Sequence, residues 1–521
     1  MNILVINCGS SSIKTAVINA NTGNELLTMK VERIHDKPLV HINGSTIDCT
    51  GSGHEAALNF ALPLIKDHLG EQTLSGVGHR VVHGGNKFDM PVLIDKEVEK
   101  AIKEVSVLAP LHNPVNMLGI TVARNVFSNL PHIAVFDTSF HQTLPRRALT
   151  YALPKQLREK HGIRRYGFHG TSHEYVAGLA AKYLKSDLNS LRIITCHLGN
   201  GSSVAAVEYG RSVETSMGMT PLEGLVMGTR SGDIDPGALV HLALEEEMSI
   251  KDLNQVLNKK SGLAGLSGIG NDMRDIVEKS SEGDDDCRLA LQVFTHRLRK
   301  YIGAYTAVMG GVDAIVFTGG IGENSAVVRH RSTQRLDYLG AVLNEDKNND
   351  VNLSKEVSVQ DFSMNHSRVK LLAVKTNEQL AIAQETIRII QEENKVNTIP
   401  TIPIAVSGRH IHLTQEAVDA LFGKGYELTV KAPLSQPKQF ACNEQVTIVG
   451  PKNQIERVRI LGPTRPKNQL EISRTDEFFI GIDAPVRASG KVENSPGIKL
   501  IGAKGTYQMK EGVICAWRHI H

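Results

Sequence analysis

The chain has 521 residues, 41% hydrophobic and 22% charged, with 58 Lys and Arg against 55 Asp and Glu for a formal charge of +3. Those values exclude a largely disordered chain and a strongly basic nucleic-acid-binding protein, and no apolar run approaches the ~18 residues of a membrane helix. At roughly 150 residues per unit, the length predicts about three or four structural units.

Met-Asn-Ile-Leu-Val-Ile-Asn-Cys-Gly-Ser-Ser-Ser-Ile-Lys opens the chain. It reads as a buried strand running into a Gly/Ser loop, not as a basic, apolar and cleavable leader. Cys8, Cys49, Cys196, Cys287, Cys442 and Cys515 form no CxxC pair. They read as reduced thiols of a cytoplasmic protein.

Residues 1–392 alternate short Val/Ile-rich runs (3–6, 133–136, 193–196 and 314–317) with helical patterns. Each run is followed closely by Gly, Ser, Asn or Thr, the α/β pattern with ligand-binding loops expected at strand ends. A closing helix is predicted from Thr376 and Gln379 at capping-box spacing, with Leu380, Ala383, Ile387 and Ile390 as its apolar stripe. The polar stretch from Glu393, followed by Pro400 and Pro403, reads as a linker over about 393–401. Residues 402–521 change character, with β-like runs at 402–406, 445–449, 458–461 and 513–517 punctuated by Gly-Pro, and predict a small β-rich domain.

Asn-Cys-Gly-Ser-Ser-Ser at 7–12 and His-Leu-Gly-Asn-Gly-Ser-Ser at 197–203 follow corresponding strands and hint at two like halves. With Thr-Gly-Gly-Ile-Gly-Glu-Asn at 318–324 they make three strand-end loops able to present N–H groups and hydroxyls to an anion. None is a GxxxxGK[ST] loop, and each alone reads better as a tight turn; three together point to nucleotide binding.

A second constellation is cationic and imidazole-rich. It comprises Arg80, Arg230, His112, His169 and His173, with Asp137 in Phe-Asp-Thr-Ser-Phe-His. Phosphoryl transfer needs fixed positive charge around spreading negative charge, with in-line positioning. Singly, each Arg or His reads better as a buried structural group or a surface ion-pair partner. The tail holds four His in two His-x-His pairs, His410/His412 and His519/His521. On a strand such a pair puts both imidazoles on one face, suited to a transition metal such as zinc; two ordinary edge strands remain the alternative.

Ordered motifs at 7–14, 80–85, 110–114, 136–141, 165–173, 197–203, 228–237 and 317–324 make residues 1 to about 392 resemble acetate kinase over that family's full length. The resemblance implies a duplicated actin/Hsp70/sugar-kinase-like (ribonuclease H-like) fold, with lobes at about 1–150 and 151–392. It implies Mg²⁺-dependent phosphoryl transfer between ATP and acetate, giving ADP and acetyl phosphate. By the same resemblance Arg80, Asp137, His169, Arg230 and His112 are catalytic, and Val82, Leu111, Phe168 and Pro221 make a methyl pocket. Asn7, Ser10, Ser12, Lys14, His197, Gly199, Asn200, Gly201, Asp272, Arg274, Gly319, Gly320, Gly322 and Asn324 bind ATP, with Arg274 against the adenine. Asn7 and Glu378 serve Mg²⁺, and relatives are homodimers. A propionate or butyrate-type acyl kinase is the runner-up, and an actin-like ATPase module the alternative from another class.

Val-Ser-Gly-Arg-His-Ile-His-Leu at 406–413, Pro-Leu-Ser-Gln-Pro at 433–437, the segment 470–476 and Trp-Arg-His-Ile-His at 517–521 make residues 402–521 resemble the N-terminal portion of a PduL-type phosphotransacylase. That family has a paired-β-barrel fold and two zinc ions. The resemblance implies His410, His412, Glu471, His519 and His521 as zinc ligands, and the reaction of acyl-CoA with phosphate to acyl phosphate and CoA. In that family the last motif runs on into a second half that supplies a further histidine ligand, so the expectation here is an incomplete site, or a zinc-binding or docking module. Joined, the two regions imply one domain making acetyl phosphate and the other using it to make ATP.

Overall fold

β1 (Asn2–Cys8) is apolar throughout because both of its faces are covered. Leu4 and Ile6 pack against helices His54–Leu69 and Asn113–Val126. Ile3 and Val5 face Ile382, Ala383, Ile387 and Ile390 of helix Glu378–Thr398. β1 pairs antiparallel with β2 (Ile13–Asn19), and the meander continues through β3 (Asn24–Glu32), β4 (Leu39–Ile42) and β5 (Ser45–Asp48). On its other side β1 runs parallel to β6 (Gly76–Val81), with β7 (Val92–Leu93) at the edge beyond β8 (His132–Phe136). The structure, a computed structural model, describes residues 1–398 and 408–516 except Ser10, Glu71, Leu111 and Ser435.

The second sheet repeats the first. β9 (Arg192–Leu198), β10 (Ser202–Glu208) and β11 (Arg211–Thr215) form an antiparallel meander, and β9 runs parallel to β12 (Ala314–Thr318). β13 (Val359–Asp361) edges the sheet beyond β14 (Lys370–Val374). The orders β3-β2-β1-β6-β8 and β11-β10-β9-β12-β14 are the same, which bears out the duplication hinted at by the two similar loops.

The closing helices are exchanged. Helix Gly170–Tyr183, which follows the first sheet, lays Val176, Ala177 and Ala180 on the second. Helix Glu378–Thr398, which follows the second sheet, covers the first. A Cβ at Gly78 would lie 2.4 Å from Thr386 Oγ1 and 2.8 Å from Ile382 Cγ2, so the close seat of that helix on β6 requires glycine. The exchange ties the two halves into one unit, Met1–Thr398.

Two expectations need correction at this helix. It continues to Thr398, through most of the stretch read as linker, because Glu393, Asn394 and Lys395 are tolerated in a helix and Pro comes only at 400. Its cap is Asn377 and not Thr376: Asn377 Oδ1 accepts from Leu380 N–H at 2.9 Å, while the Thr376 hydroxyl meets Ser172.

Among the described residues the second unit is a nine-stranded curled sheet. Its strands are β15 (His410–His412), β16 (Val430–Pro433), β17 (Phe440–Val449), β18 (Gln454–Gly462), β19 (Gln469–Glu471), β20 (Val486–Arg487), β21 (Ile498–Ile501), β22 (Thr506–Met509) and β23 (Val513–Ala516). β15 lies between β18 and β19. Helices Gln415–Phe422 and Arg474–Ile480 are capped by Thr414 and Ser473, and Ile411, Val418, Ile448, Val458, Ile460 and Leu500 fill the core. The β-like runs at 445–449 and 458–461 lie within β17 and β18. Among the described residues no helix is long and apolar enough to cross a membrane.

Candidate active site

The strand ends of both sheets converge on Arg80, on β6. Its Nε donates to Asp137 Oδ1 at 2.9 Å and its Nη2 to Asp137 Oδ2 at 2.6 Å, while Nη1 reaches Asn7 Oδ1 at 3.4 Å. Glu378 Oε2 lies 3.8 Å from Arg80 Nε. Burial opposes the guanidinium charge, but Asp137 and Glu378 outweigh it and raise the Arg80 pKa. Burial pushes the Asp137 carboxyl above its usual range, opposed by Arg80.

Arg230 is the counterpart. It donates to the Pro221 carbonyl at 3.2 Å and lies 3.7 Å from Met227 Sδ, and no carboxylate among the described residues pairs with it. Burial lowers its pKa. A half-buried guanidinium without a counter-ion is a ready anion site. Its loop is held by Arg165, whose Nη1 donates to the carbonyls of Thr215, Ser216 and Met217 and whose Nη2 pairs with Glu223 at 2.5 Å. Beside it Phe168, Met217 and Met227 form a small buried apolar cluster, with Val82 packed on it. Leu111 falls outside the described residues.

His169 sits in left-handed backbone (φ 57°) just before helix Gly170–Tyr183. Its Nδ1 meets Ser203 Oγ at 2.9 Å, and its ring stacks on His197 with centroids 4.4 Å apart. Burial, then neighbouring imidazoles and both arginines, hold it well below the usual histidine range. His112, at the start of helix Asn113–Val126, is lowered by burial and then by the nearby charges of Arg230 and Arg80. Two asparagines fix this wall: Asn113 exchanges hydrogen bonds with the His83 backbone at 3.1 and 2.9 Å. Asn116 takes the Val82 N–H at 3.0 Å and donates to the Cys8 carbonyl at 2.9 Å.

The predicted loops lie at strand ends. Gly9 N–H closes the β1–β2 turn on the Ser12 carbonyl at 2.8 Å, and Lys14 pairs with Asn7 across that hairpin; Ser10 falls outside the described residues. Gly199 N–H closes the β9–β10 turn on the Gly201 carbonyl at 3.1 Å. Asn200 Oδ1 accepts from Asn271 Nδ2 at 2.7 Å. The third loop opens helix Gly319–Asn324; Gly319 has φ +74°, and a Cβ there would lie 2.7 Å from the Leu198 carbonyl oxygen. Gly322 packs against Phe317, and Asn324 donates back to the Gly320 carbonyl. Arg274 is 89% exposed and forks onto Asp272 at 3.0 and 2.6 Å. Glu323, which sequence reasoning passed over, joins two loops: its Oε1 accepts from both Gly319 N–H and Thr376 N–H at 3.0 Å.

In the second unit, His410 Nδ1 donates to the Gly408 carbonyl at 2.9 Å and His412 Nδ1 to the Leu461 carbonyl at 3.1 Å. Burial, Arg465 and His410 push His412 down to about 3. His410 Nε2 lies 3.6 Å from Glu471 Oε2, which shares a network with Gln469 and Ser489. Arg409 pairs with Asp476 at 2.7 Å. His519 and His521 fall outside the described residues. Among the described residues no group of three or more His, Cys, Asp or Glu is arranged to hold a metal ion.

Two like lobes with a paired and an unpaired arginine between their strand-end loops define a two-lobed phosphotransferase of the actin and sugar-kinase type. The sequence model of the acetokinase family matches residues 2–384, and the chain belongs to that family. Acetate kinase of Halothermothrix orenii is 49% identical over 402 residues, covering 75% of this chain and 100% of the relative. That of Thermotoga maritima is 50% identical over 405 residues, covering 75% and 99%. Among solved structures, Porphyromonas gingivalis acetate kinase superposes with a TM-score of 0.71 at 39% identity, covering 75% of this chain and 99% of that one. A Francisella tularensis propionate kinase gives 0.68 at 41%, covering 74% and 99%. The model of the phosphate propanoyltransferase family matches residues 403–521.

Proposed function

We propose that residues 1–398 catalyse reversible phosphoryl transfer between ATP and acetate. The observation that carries this reading is Arg230: a half-buried cation with no carboxylate partner among the described residues, beside an apolar cluster of a few side chains. That pair of features fits a small carboxylate with a short apolar tail. A carboxylate needs no strong base to attack phosphorus; the barrier is bringing two anions together.

In this reading Arg230 and Arg80 hold the acetate and the γ-phosphoryl group in line. One acetate oxygen forms the new bond to the γ-phosphorus as the bond to the β,γ-bridging oxygen breaks, and its electron pair stays on ADP. His169 donates to the equatorial oxygens, and His112 supports it from the opposite wall. Asp137 holds the Arg80 fork in place. The loops at 7–14, 197–201 and 318–324 hold the phosphates and nucleoside, with Asp272 and Arg274 at the base. Asn7 and Glu378 present oxygen donors beside Arg80, the hard set that Mg²⁺ takes with its remaining waters; the ion when bound neutralises phosphate charge. Val82, Phe168 and Pro221 border the methyl group, joined by Met217 and Met227. Trapping acyl phosphate with hydroxylamine tests the reading: acetate-dependent product supports it, and ATP loss without acyl phosphate overturns it.

The propionate kinase neighbour favours one extension. Methionine side chains adapt to shape, so propionate is a slower second substrate of this pocket.

For residues 403–521 the proposal is acyl transfer between CoA and phosphate, supported by the family match. His410 and His412 carry their protons on Nδ1 against backbone carbonyls, the tautomer in which Nε2 ligates zinc. With Glu471, and with His519 and His521 beyond the described residues, they would hold that metal, which when bound offsets phosphate charge. Phosphate-dependent release of CoA thiol from acetyl-CoA, lost in His410→Ala, is the expected result; no release from the Zn²⁺-loaded full chain overturns it. The two activities joined would pass acetyl phosphate from one unit to the other. The homodimer and the cytoplasmic location remain part of this proposal.

A further inference from the structure

Behind His169 lies a chain of buried groups whose protons can be assigned. Thr195 Oγ1 is 2.7 Å from His173 Nδ1; His173 Nε2 is 2.7 Å from Ser203 Oγ; Ser203 Oγ is 2.9 Å from His169 Nδ1. Thr195, His173 and Ser203 are fully buried. Each gap is an ordinary hydrogen-bond length, and each hydroxyl and neutral ring has one proton to give along the chain.

Two directions are available. In one, His173 Nδ1–H donates to Thr195, Ser203 O–H donates to His173 Nε2, and His169 Nδ1–H donates to Ser203. The Thr195 hydroxyl proton then has nowhere to go, since His173 Nδ1 is the sole partner of that hydroxyl among the described residues. A buried donor left unmade is costly. In the other, every proton between Thr195 and His169 Nδ1 is used: Thr195 O–H donates to His173 Nδ1, His173 Nε2–H to Ser203 Oγ, and Ser203 O–H to His169 Nδ1, and the one proton left over lies on Nε2 of the half-buried His169 ring and not on the fully buried Thr195. A doubly protonated His173 could satisfy both neighbours, but complete burial beside His141 and His197 keeps the ring neutral.

We propose that Thr195, His173 and Ser203 are positioning residues that fix His169 as the neutral Nε2–H tautomer, with that N–H aimed at the reacting phosphoryl group. The aim is visible at Gly201: a Cβ there would lie 3.5 Å from His169 Nε2 and 3.5 Å from Arg230 Nη1, so donor and cation border the same space. A neutral donor preset in this way stabilises developing oxyanion charge without taking up a proton first. The proposal rests on the assignment of His169 to the phosphoryl-transfer site.

The test uses the full chain labelled with ring-¹⁵N histidine, with the His169 signals identified by their loss in His169→Gln. Nitrogen shifts report which ring atom carries the proton. The wild type is expected to show protonated Nε2 and lone-pair Nδ1 at His169. Thr195→Val keeps the shape but removes the donor. It is expected to mix or invert the His169 tautomer and to lower kcat by about tenfold, with KM for acetate and ATP within about twofold. Thr195→Ser restores the hydroxyl and is expected to restore both readouts. Protonated Nδ1 at His169 in the wild type, or a kcat loss in Thr195→Val with an unchanged tautomer, overturns the relay. The tautomer is read without substrates, so absence of acetyl phosphate formation would sink the kinase reading while the relay stood or fell on the spectrum.

Discussion

Arg80 grips Asp137 with two prongs, Nε to Oδ1 at 2.9 Å and Nη2 to Oδ2 at 2.6 Å, whereas Arg230 grips no carboxylate among the described residues. The same residue type therefore has two jobs. Arg80 is locked by a nearly buried partner, and in the proposed reading Arg230 is the one open to an anion.

Removing each arginine should therefore differ in stability and not only in rate. Arg80→Ala strands the Asp137 carboxyl, only 3% exposed, and should cost about 3 kcal/mol of folding stability. Arg230→Ala strands no charge and should leave stability within about 0.5 kcal/mol. Both should lose phosphoryl transfer, and urea unfolding distinguishes them. In Arg80→Ala/Asp137→Ala much of the stability, but not the activity, should return. Equal destabilisation by the two single changes would refute the distinction.

Glu323 holds Gly319 and Thr376 with one oxygen, joining the 318–324 loop to the segment that carries Glu378. Glu323→Ala should raise KM for ATP by about tenfold and raise the Mg²⁺ requirement, with KM for acetate little changed. Glu323→Gln keeps an acceptor oxygen and should fall between. Steady-state kinetics at varied ATP, Mg²⁺ and acetate reads this out; a change confined to acetate would contradict it.

Val82 packs on Phe168, Met217 and Met227. Val82→Ala should enlarge the cluster and favour propionate over acetate by about tenfold in kcat/KM, within the ~1–3 kcal/mol that one methylene is worth. An unchanged ratio would place the substrate tail elsewhere.

Acid should unfold this unit early. Burial holds His141 and His83 down to about 4, and His79, hydrogen-bonded to His132 at 2.9 Å, well below its ordinary value. The unfolded chain protonates these rings near pH 6.5 and the folded chain does not, so the unfolded state binds more protons below that pH. Their contribution is complete above about pH 6.5 and is lost as pH falls toward 4, at about 1.4 kcal/mol per pH unit for each ring. Urea midpoints followed by far-ultraviolet circular dichroism should fall steeply over that window. A flat profile would mean these rings titrate normally.

The apolar runs made the strands legible, and the paired Gly/Ser loops hinted at the repeated sheet order that the structure shows. Arg80, Asp137, His169 and Arg230 stood out by residue type, although only the family resemblance gave them roles. The exchange of closing helices was not legible, because the contact of Gly78 with Thr386 spans sequence distances that no local pattern carries. Nor was the support for His169: Ser203 reads from sequence only as the last residue of the strand-end loop at 197–203, and its meeting with both His169 and His173 depends on the β9–β10 register. Asn377 was passed over as a cap because Thr376 satisfied the local spacing, while its hydroxyl was committed to Ser172.

The most direct measurement follows ATP, acetate and Mg²⁺ with the full chain and traps product with hydroxylamine. The account predicts acyl phosphate formed one-for-one with ADP, dependent on acetate and abolished in Arg230→Ala. ADP formed at the same rate without acetate, with no trapped acyl phosphate, would contradict it.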